Sequence, residues 1–382
     1  MSPAAAKKKT GKKPARAPRG ETIADLATPA LVLDLDVMEA NLARMAARAK
    51  TLGVTLRPHA KTHKCVEIAK RQRAHGAEGL TVSTLYEAGV FARHGFDDIT
   101  WAFPVILNRI PEAAKLADRI TLRLVVDSPE AVTALEKSGE RFHVWLKIDC
   151  GYHRAGADPQ SASTIDLARR LVDSKKLRFD GILTHSGHSY HGATRQEILR
   201  IAEQERGVML EVAARMERAG IGIPAISVGS TPAMSVVENL DGITEARPGN
   251  YVFYDYTQVA LGSCELRDVA VSVVTSVVST QRATNHAVVD AGALSMSKDA
   301  GSELAPRKSM GEIFADYDAR TLRPERLVSL SQEHGVISAP LPVGTRLRVV
   351  PNHSCLTVAQ FDEYVVVQGE NVVDRWKVWR GR

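Results

Sequence analysis

The sequence contains no stretch of about 18 apolar residues, so no segment reads as a membrane-crossing helix. Its first twenty residues also lack the apolar run that a secretory signal needs. Cysteine is scarce: Cys65, Cys150, Cys264 and Cys355 are the four in 382 residues, and no two form a CxxC pair. A disulfide framework is not expected, and a cysteine with a special role would be a ligand or a nucleophile. No GxGxxG follows the first strand-like run, which argues against a dinucleotide-binding open sheet. Acids are missing from residues 1–20, where Lys7, Lys8, Lys9, Lys12, Lys13, Arg16 and Arg19 lie. The formal charge of +6 invites a nucleic-acid partner, but outside that segment 43 basic residues face 44 acidic ones. The basicity belongs to a tail, 1–22, expected to be disordered. The body, with an ordinary apolar content of 44%, is expected to be a soluble cytoplasmic protein with a large core and no nucleic-acid or membrane partner.

Residues 30–35 read as an extended run, followed by a helix in which Val37, Leu42, Met45 and Ala46 recur at helical spacing and Gly53 supplies the stop. Strand-like runs then recur at 54–58, 79–83, 99–103, 121–126, 143–149, 179–185, 225–229 and 242–247. Amphipathic segments such as 161–171 and 198–219 separate them. Eight such repeats predict a parallel (β/α)8 barrel over 28–266, because each parallel crossover needs a helix to bring the chain back. From 267 to 382 the pattern becomes alternating, β-branched and turn-separated, with QGEN as a hairpin turn. This predicts a smaller β domain, completed by the early strand at 30–35.

In such a barrel the chemistry sits just past the C-terminal ends of the strands. RPHAKTHKC follows the first and places Lys61 three residues beyond Pro58, where a desolvated lysine can lose its proton and condense with a carbonyl. DCGYHRAG brings Asp149, Tyr152, His153 and Arg154 to the mouth, and THSGHSYHG brings His185, His188, Tyr190 and His191. The histidine spacing favours cofactor or substrate contact over a zinc cluster. The last two loops carry Gly229-Ser230-Thr231-Pro232 and Arg247-Pro248-Gly249-Asn250-Tyr251, where barrels often cradle a phosphate with backbone N–H groups and hydroxyls. A phosphate cradle opposite a mouth lysine implies a phosphorylated aldehyde, pyridoxal 5′-phosphate. Near the C-terminus, His353 and Cys355 would share one face of a strand, and an imidazole with a thiolate suits Zn²⁺. A buried cysteine beside a satisfied histidine is the alternative.

Six motifs together, HAKTHK, HSGHSY, GSTP, RPGNY, EHG at 333–335 and PNHSC at 351–355, resemble the D-serine dehydratase and D-threonine aldolase group. These are fold-type III pyridoxal phosphate enzymes with an alanine-racemase-like barrel and a C-terminal β domain. The resemblance runs from about Thr28 to Trp379. It implies that Lys61 holds the cofactor's carbonyl and that Arg154 lies by its phenolic oxygen. Tyr190, Thr231, Gly249 and Asn250, with Ser230 and Tyr251, would hold the rest of the cofactor, and His353 and Cys355 would hold a divalent metal. It further implies a homodimer acting on a small D-amino acid. The His-x-Cys pair is similar to the dehydratases, whereas the aldolases tend to show His-x-Asp. Elimination is thus expected over retro-aldol cleavage. A cofactor carrier, a racemase and a nucleic-acid binder are the remaining alternatives.

Overall fold

The computed structural model describes residues 20–382, so most of the basic tail lies outside the described residues. Strand β1 (Ala30–Asp34) is buried along its whole length. It ends where the Asp34 carboxylate accepts the Val37 N–H at 3.1 Å, capping the helix Leu35–Thr51. That helix buries Met38, Asn41, Leu42, Met45 and Ala49, and leaves the expected Val37 and Ala46 only half-buried. The stripe is rotated because a polar residue, Asn41, belongs to it. Its amide donates to the Asp268 carbonyl at 2.8 Å, a contact that counting apolar residues cannot anticipate.

All eight expected strands form one parallel sheet: β2 (Thr55–Leu56), β3 (Leu80–Val82), β4 (Asp98–Pro104), β5 (Thr121–Val126), β6 (Phe142–Lys147), β7 (Leu177–Leu183), β8 (Ile226–Val228) and β9 (Glu245–Ala246). Their order, β2-β9-β8-β7-β6-β5-β4-β3, is that of a barrel, and a parallel bridge between His59 and Thr81 joins the two ends. Two backbone bonds make this closure, Ala60 N–H to Thr81 O at 2.7 Å and Thr81 N–H to Pro58 O at 2.9 Å. Several strands end a residue or two earlier than expected, which leaves Asp149, Thr184 and His185 in the loops at the mouth.

Alternate residues on each strand face opposite ways, and the two faces differ in kind. Val144, Leu146, Leu122, Leu124 and Val126 join the main core under the helices. The opposite face carries a small apolar plug of Val125, Trp145 and Leu183. It also carries a chain of ion pairs: Arg123 with Asp180 (2.8 Å), Arg57 with Asp98 (2.6 Å) and Arg57 with Glu245 (2.5 Å). Glu245 accepts from Ser227 Oγ at 2.5 Å, and Ser227 in turn contacts the buried Arg247 guanidinium. The inside of the barrel thus joins a chain of ion pairs to a small apolar plug, and its last cation stands at the mouth.

The second sheet contains β10 (Val271–Gln281), β11 (His286–Val289), β12 (Gly311–Asp316), β13 (Thr321–Leu330), β14 (Gly335–Ile337), β15 (Arg346–Val350), β16 (Glu363–Gln368) and β17 (Asn371–Lys377). Pairing of β10 with both β15 and β11 closes six of them into an antiparallel ring. As expected, β1 completes this sheet, antiparallel to β10 and parallel to β16. The QGEN turn joins β16 to β17, with Gly369 at φ +56°. Glu21 and Thr22 also dock here: Thr22 bridges to Asn371, and Arg375 pairs with Glu21 at 2.8 Å. The EHG motif is architectural. A Cβ on Gly335 would lie 2.5 Å from the Ala291 carbonyl, while Glu333 and His334 are exposed.

Candidate active site

The loop carrying Lys61 is fixed from both sheets. Ala60 is bound to β3 through Thr81, the His63 carbonyl accepts from Tyr364 Oη at 2.6 Å, and the Lys64 carbonyl accepts from the Trp379 N–H at 2.7 Å. Lys64 forms an ion pair with the buried Glu87, so that carboxylate is already taken. Lys61 is half-buried. Burial pushes its pKa below the ordinary 10.5 and Arg154 and Lys64 push the same way, against the opposing pull of Cys355 and Glu87. Two flanking imidazoles feel the same field. His59 and His185 are driven well below 6.5, first by burial and then by the charge of Lys61, which keeps both neutral.

A second lysine lies close by. Lys147, the last residue of β6, is buried, and its pKa is pushed down to about 8 by desolvation, with Arg154 adding to the effect. Arg247 is buried too, with its guanidinium bonded to Ser227 and to the Thr184 carbonyl. Arg154 itself is exposed, 4.9 Å over the ring of Tyr152, in a loop that Asp149 organises by accepting the Gly151 and His153 N–H groups at 3.0 Å. The mouth therefore concentrates Lys61, Lys147, Arg154 and Arg247, a field that suits an anionic ligand.

The two glycine-bearing loops come together beside it. Gly229 has φ +103°, a conformation open to glycine. Ser230 caps the short helix Thr231–Val236 and its Oγ lies 2.8 Å from Ser189 Oγ. Thr231 Oγ1 accepts the Tyr251 N–H at 3.1 Å. Gly249 packs so closely that a Cβ would lie 3.0 Å from the backbone oxygen of His59 and from Thr62 Oγ1. Tyr190 is half-buried against Ile198, Val236 and Leu261. Desolvation raises its pKa, against the opposing pull of Thr231 and Gln258 nearby. Tyr251 points elsewhere: its hydroxyl lies deep in the core and accepts from Gln72 at 3.1 Å, so only its backbone faces these loops.

Glu205, on the helix Arg195–Arg218, ties the cradle to the histidine loop. One carboxylate oxygen accepts the Ser186 N–H at 2.9 Å and the Gly229 N–H at 3.3 Å. Burial raises its pKa, against the pull of those donors.

His353 and Cys355 come together, though not along a strand. Extended structure ends at Val350, His353 is the N-cap of the helix Ser354–Val358, and Cys355 lies in its first turn. The expected strand register is replaced because Asp255 accepts the Ser354 N–H at 2.9 Å and starts a helix there. Asp299 accepts from His353 Nδ1 at 2.7 Å, which fixes that ring. Cys355 Sγ lies 3.4 Å from Thr62 Oγ1, one residue from Lys61. Burial opposes ionisation of this thiol, but the charge and hydrogen bond of His353 outweigh it and lower its pKa below 9.0. A thiol with a lowered pKa beside an imidazole is a donor pair that fits a borderline-soft divalent ion. Among the described residues no third His, Cys, Asp or Glu completes a cluster, so water or substrate would fill the other positions.

Lys147 occupies a strand end, where the barrel rule points, and Arg247 lies inside a quoted motif, so both had a sequence signal. Glu205, Asp255 and Asp299 had none, since each reaches the site from a segment with no pattern of its own.

Comparison with known proteins supplies the context for this geometry. Residues 33–257 match the profile described as alanine racemase, N-terminal domain, and residues 270–367 match a serine dehydratase domain. The D-threo-3-hydroxyaspartate dehydratase of Delftia sp. (strain HT23) is 39% identical over 94% of this chain and 99% of its own. The D-serine dehydratase of Dictyostelium discoideum is 35% identical over 92% and 96%. The D-threonine aldolase of Arthrobacter sp. is 31% identical over 96% and 95%. A solved D-threo-3-hydroxyaspartate dehydratase, a cysteine-to-alanine mutant in the metal-free form, superposes with a TM-score of 0.90 at 38% identity, covering 95% of this chain and all of the other.

Proposed function

The chain belongs to the family of D-3-hydroxy amino acid lyases that join an alanine-racemase-like barrel to a serine dehydratase domain, and from that premise we propose that it is a dehydratase using pyridoxal 5′-phosphate and a zinc ion. Its substrate is a small D-3-hydroxy amino acid, and the products are a 2-oxo acid and ammonia. The observation that carries this reading is the juxtaposition of Lys61 with the His353–Cys355 pair across Thr62. β-Elimination needs a base at Cα and an electrophile at the β-oxygen of the same molecule.

Bound pyridoxal phosphate supplies an electron sink for the bond broken at Cα, and the ion supplies a Lewis acid for the departing hydroxide. Lys61 Nζ, with its lowered pKa, would hold the cofactor's carbonyl, and as a free amine it would take the Cα proton. His59 and His185, held neutral, line the pocket without adding to its positive charge. Thr231 and Ser230, with the backbones of Gly229, Gly249 and Asn250, would receive the phosphate, and Tyr190 would close that side. Arg154 and Lys147 would hold the cofactor's phenolic oxygen. Tyr251 acts through its backbone, given that its hydroxyl is engaged by Gln72.

Elimination is favoured over retro-aldol cleavage by the Cys355 ligand and by the higher identity to the two dehydratases than to the aldolase. D-serine, D-threonine and D-threo-3-hydroxyaspartate assayed side by side should give 2-oxo acids and ammonia. Activity should vanish on chelation and return with Zn²⁺. Glycine and an aldehyde as the main products would overturn the assignment in favour of the aldolase. No helix among the described residues is long and apolar enough to cross a membrane. We place the enzyme in the cytoplasm as a homodimer, which sedimentation of the full chain would test.

A further inference from the structure

Asp255 is fully buried and uses both carboxylate oxygens. Through Oδ1 it accepts the Gln258 N–H at 3.0 Å and caps its own helix, Tyr256–Ala260, which follows the last barrel strand. Oδ2 reaches across to the second sheet, where it accepts the Ser354 N–H at 2.9 Å and Ser354 Oγ at 3.2 Å. Asn250 Nδ2 donates to the same oxygen at 2.7 Å. Ser354 opens the helix that carries Cys355, and that helix has no side-chain cap from its own N-cap residue, His353. One carboxylate from the barrel therefore caps two helices at once.

The surroundings make this a directed contact. The Tyr256 and Thr257 N–H groups bond the Pro351 and Asn352 carbonyls at 3.1 and 3.2 Å, so the two segments run against each other on both sides of the carboxylate. Asn250 also reaches Ser354 Oγ at 3.1 Å and Cys355 Sγ at 3.7 Å. Asp299 fixes the His353 ring from the opposite side, whereas the Cys355 side depends on the start of its helix. Four donors and no acceptor converge on Asp255, so the site requires a side chain that only accepts.

We propose that Asp255 is the positioning residue that holds the His353–Cys355 turn in ligating geometry and couples it, through Asn250, to the loop of the cofactor cradle. This rests on the reading of His353 and Cys355 as metal ligands. It makes an unusual demand: Asp255→Asn, although isosteric, must present its NH₂ to a donor at one end or the other, and so uncaps one helix.

The test is a Co²⁺ titration of the full-length, metal-stripped protein, followed by thiolate-to-cobalt charge-transfer absorption in the near ultraviolet, with C355S as the blank. Wild type should show the band. D255N should need about tenfold more Co²⁺ or greater for half-saturation, the scale at which outer partners of a metal ligand act. Ser354→Pro removes the N–H that Asp255 accepts while keeping a residue at home in the first helical position, and should weaken binding likewise if D255N does not fold. Unchanged affinity in either folded variant overturns the role of Asp255. A wild-type protein without the band overturns the metal reading itself, and the role built on it.

Discussion

Lys61 and Lys147 show how far a side chain's surroundings, and not its type, set its chemistry. Lys61→Ala should abolish the visible absorbance of protein purified with pyridoxal phosphate; surviving colour would show that another amine holds the cofactor. Lys147 has the clearer pH signature. Its pKa in the folded protein is pushed down to about 8, from an ordinary 10.5, so between these values the unfolded chain holds a proton that the native state does not. Stability from this group therefore rises with pH across that window and is at its lowest below about 8. In cofactor-free protein, Lys147→Met should raise the urea midpoint at pH 7, and the gain over wild type should shrink as pH climbs towards 10.5. Lys61 was legible in the sequence because the barrel rule and a polar motif coincided there. Lys147 and Arg247 carried a fainter signal: Lys147 lies within the expected strand 143–149, and the Arg247 loop was read for the glycine and hydroxyl groups of a phosphate cradle.

At the scale of elements, two contacts set how the loops meet. Glu205→Leu would leave the Ser186 and Gly229 N–H groups buried without their acceptor, a loss of about 2 kcal/mol or more in stability. Glu205→Gln, which keeps an acceptor, should lose less. Urea melts of the pair measure the difference, and cofactor affinity should follow the same order. Gly181 sits in β7 at φ +129°, where a Cβ would lie 2.0 Å from the Ala225 carbonyl. Gly181→Ala should therefore destabilise the barrel by about 2 kcal/mol or more, read as a lowered melting temperature. All eight barrel strands were legible because the helix-facing residues alternate reliably as apolar. The opposite face was not, since ion pairs such as Arg57 with Glu245 and Arg123 with Asp180 link strands distant in sequence. The His353–Cys355 turn misled for a related reason: its cap comes from Asp255, about a hundred residues away, and local pattern continued the strand.

For the whole molecule, the junction between the two sheets matters more than either alone. A single apolar core runs from the barrel into the antiparallel ring, and Tyr364 and Trp379 of the C-terminal segment grip the loop that carries Lys61. The outer side of the second sheet depends on the start of the described chain. Ile23 and Leu26 pack on Val32, Val274, Val365 and Val367, and the Arg346 guanidinium donates to the Leu26 carbonyl at 2.8 Å. A chain beginning at Ala27 should be less stable than one beginning at Gly20 by about 3 kcal/mol, the worth of two buried aliphatic side chains, measurable by denaturant unfolding. The two-part architecture was legible from the change of pattern near 267, whereas the grip of one part on the other's reactive loop was not.

Strand β1 lies between β10 and β16, so its neighbours are residues 271–274 on one side and 365–367 on the other. During synthesis the barrel's strands can all emerge and pair while this first strand still lacks both partners. Its seat is completed only when residues 365–367 have left the ribosome. Strand β1 thus acts as a latch on residues 365–367, and a product stalled before them would expose the strand edge that carries Leu31, Val32 and Leu33.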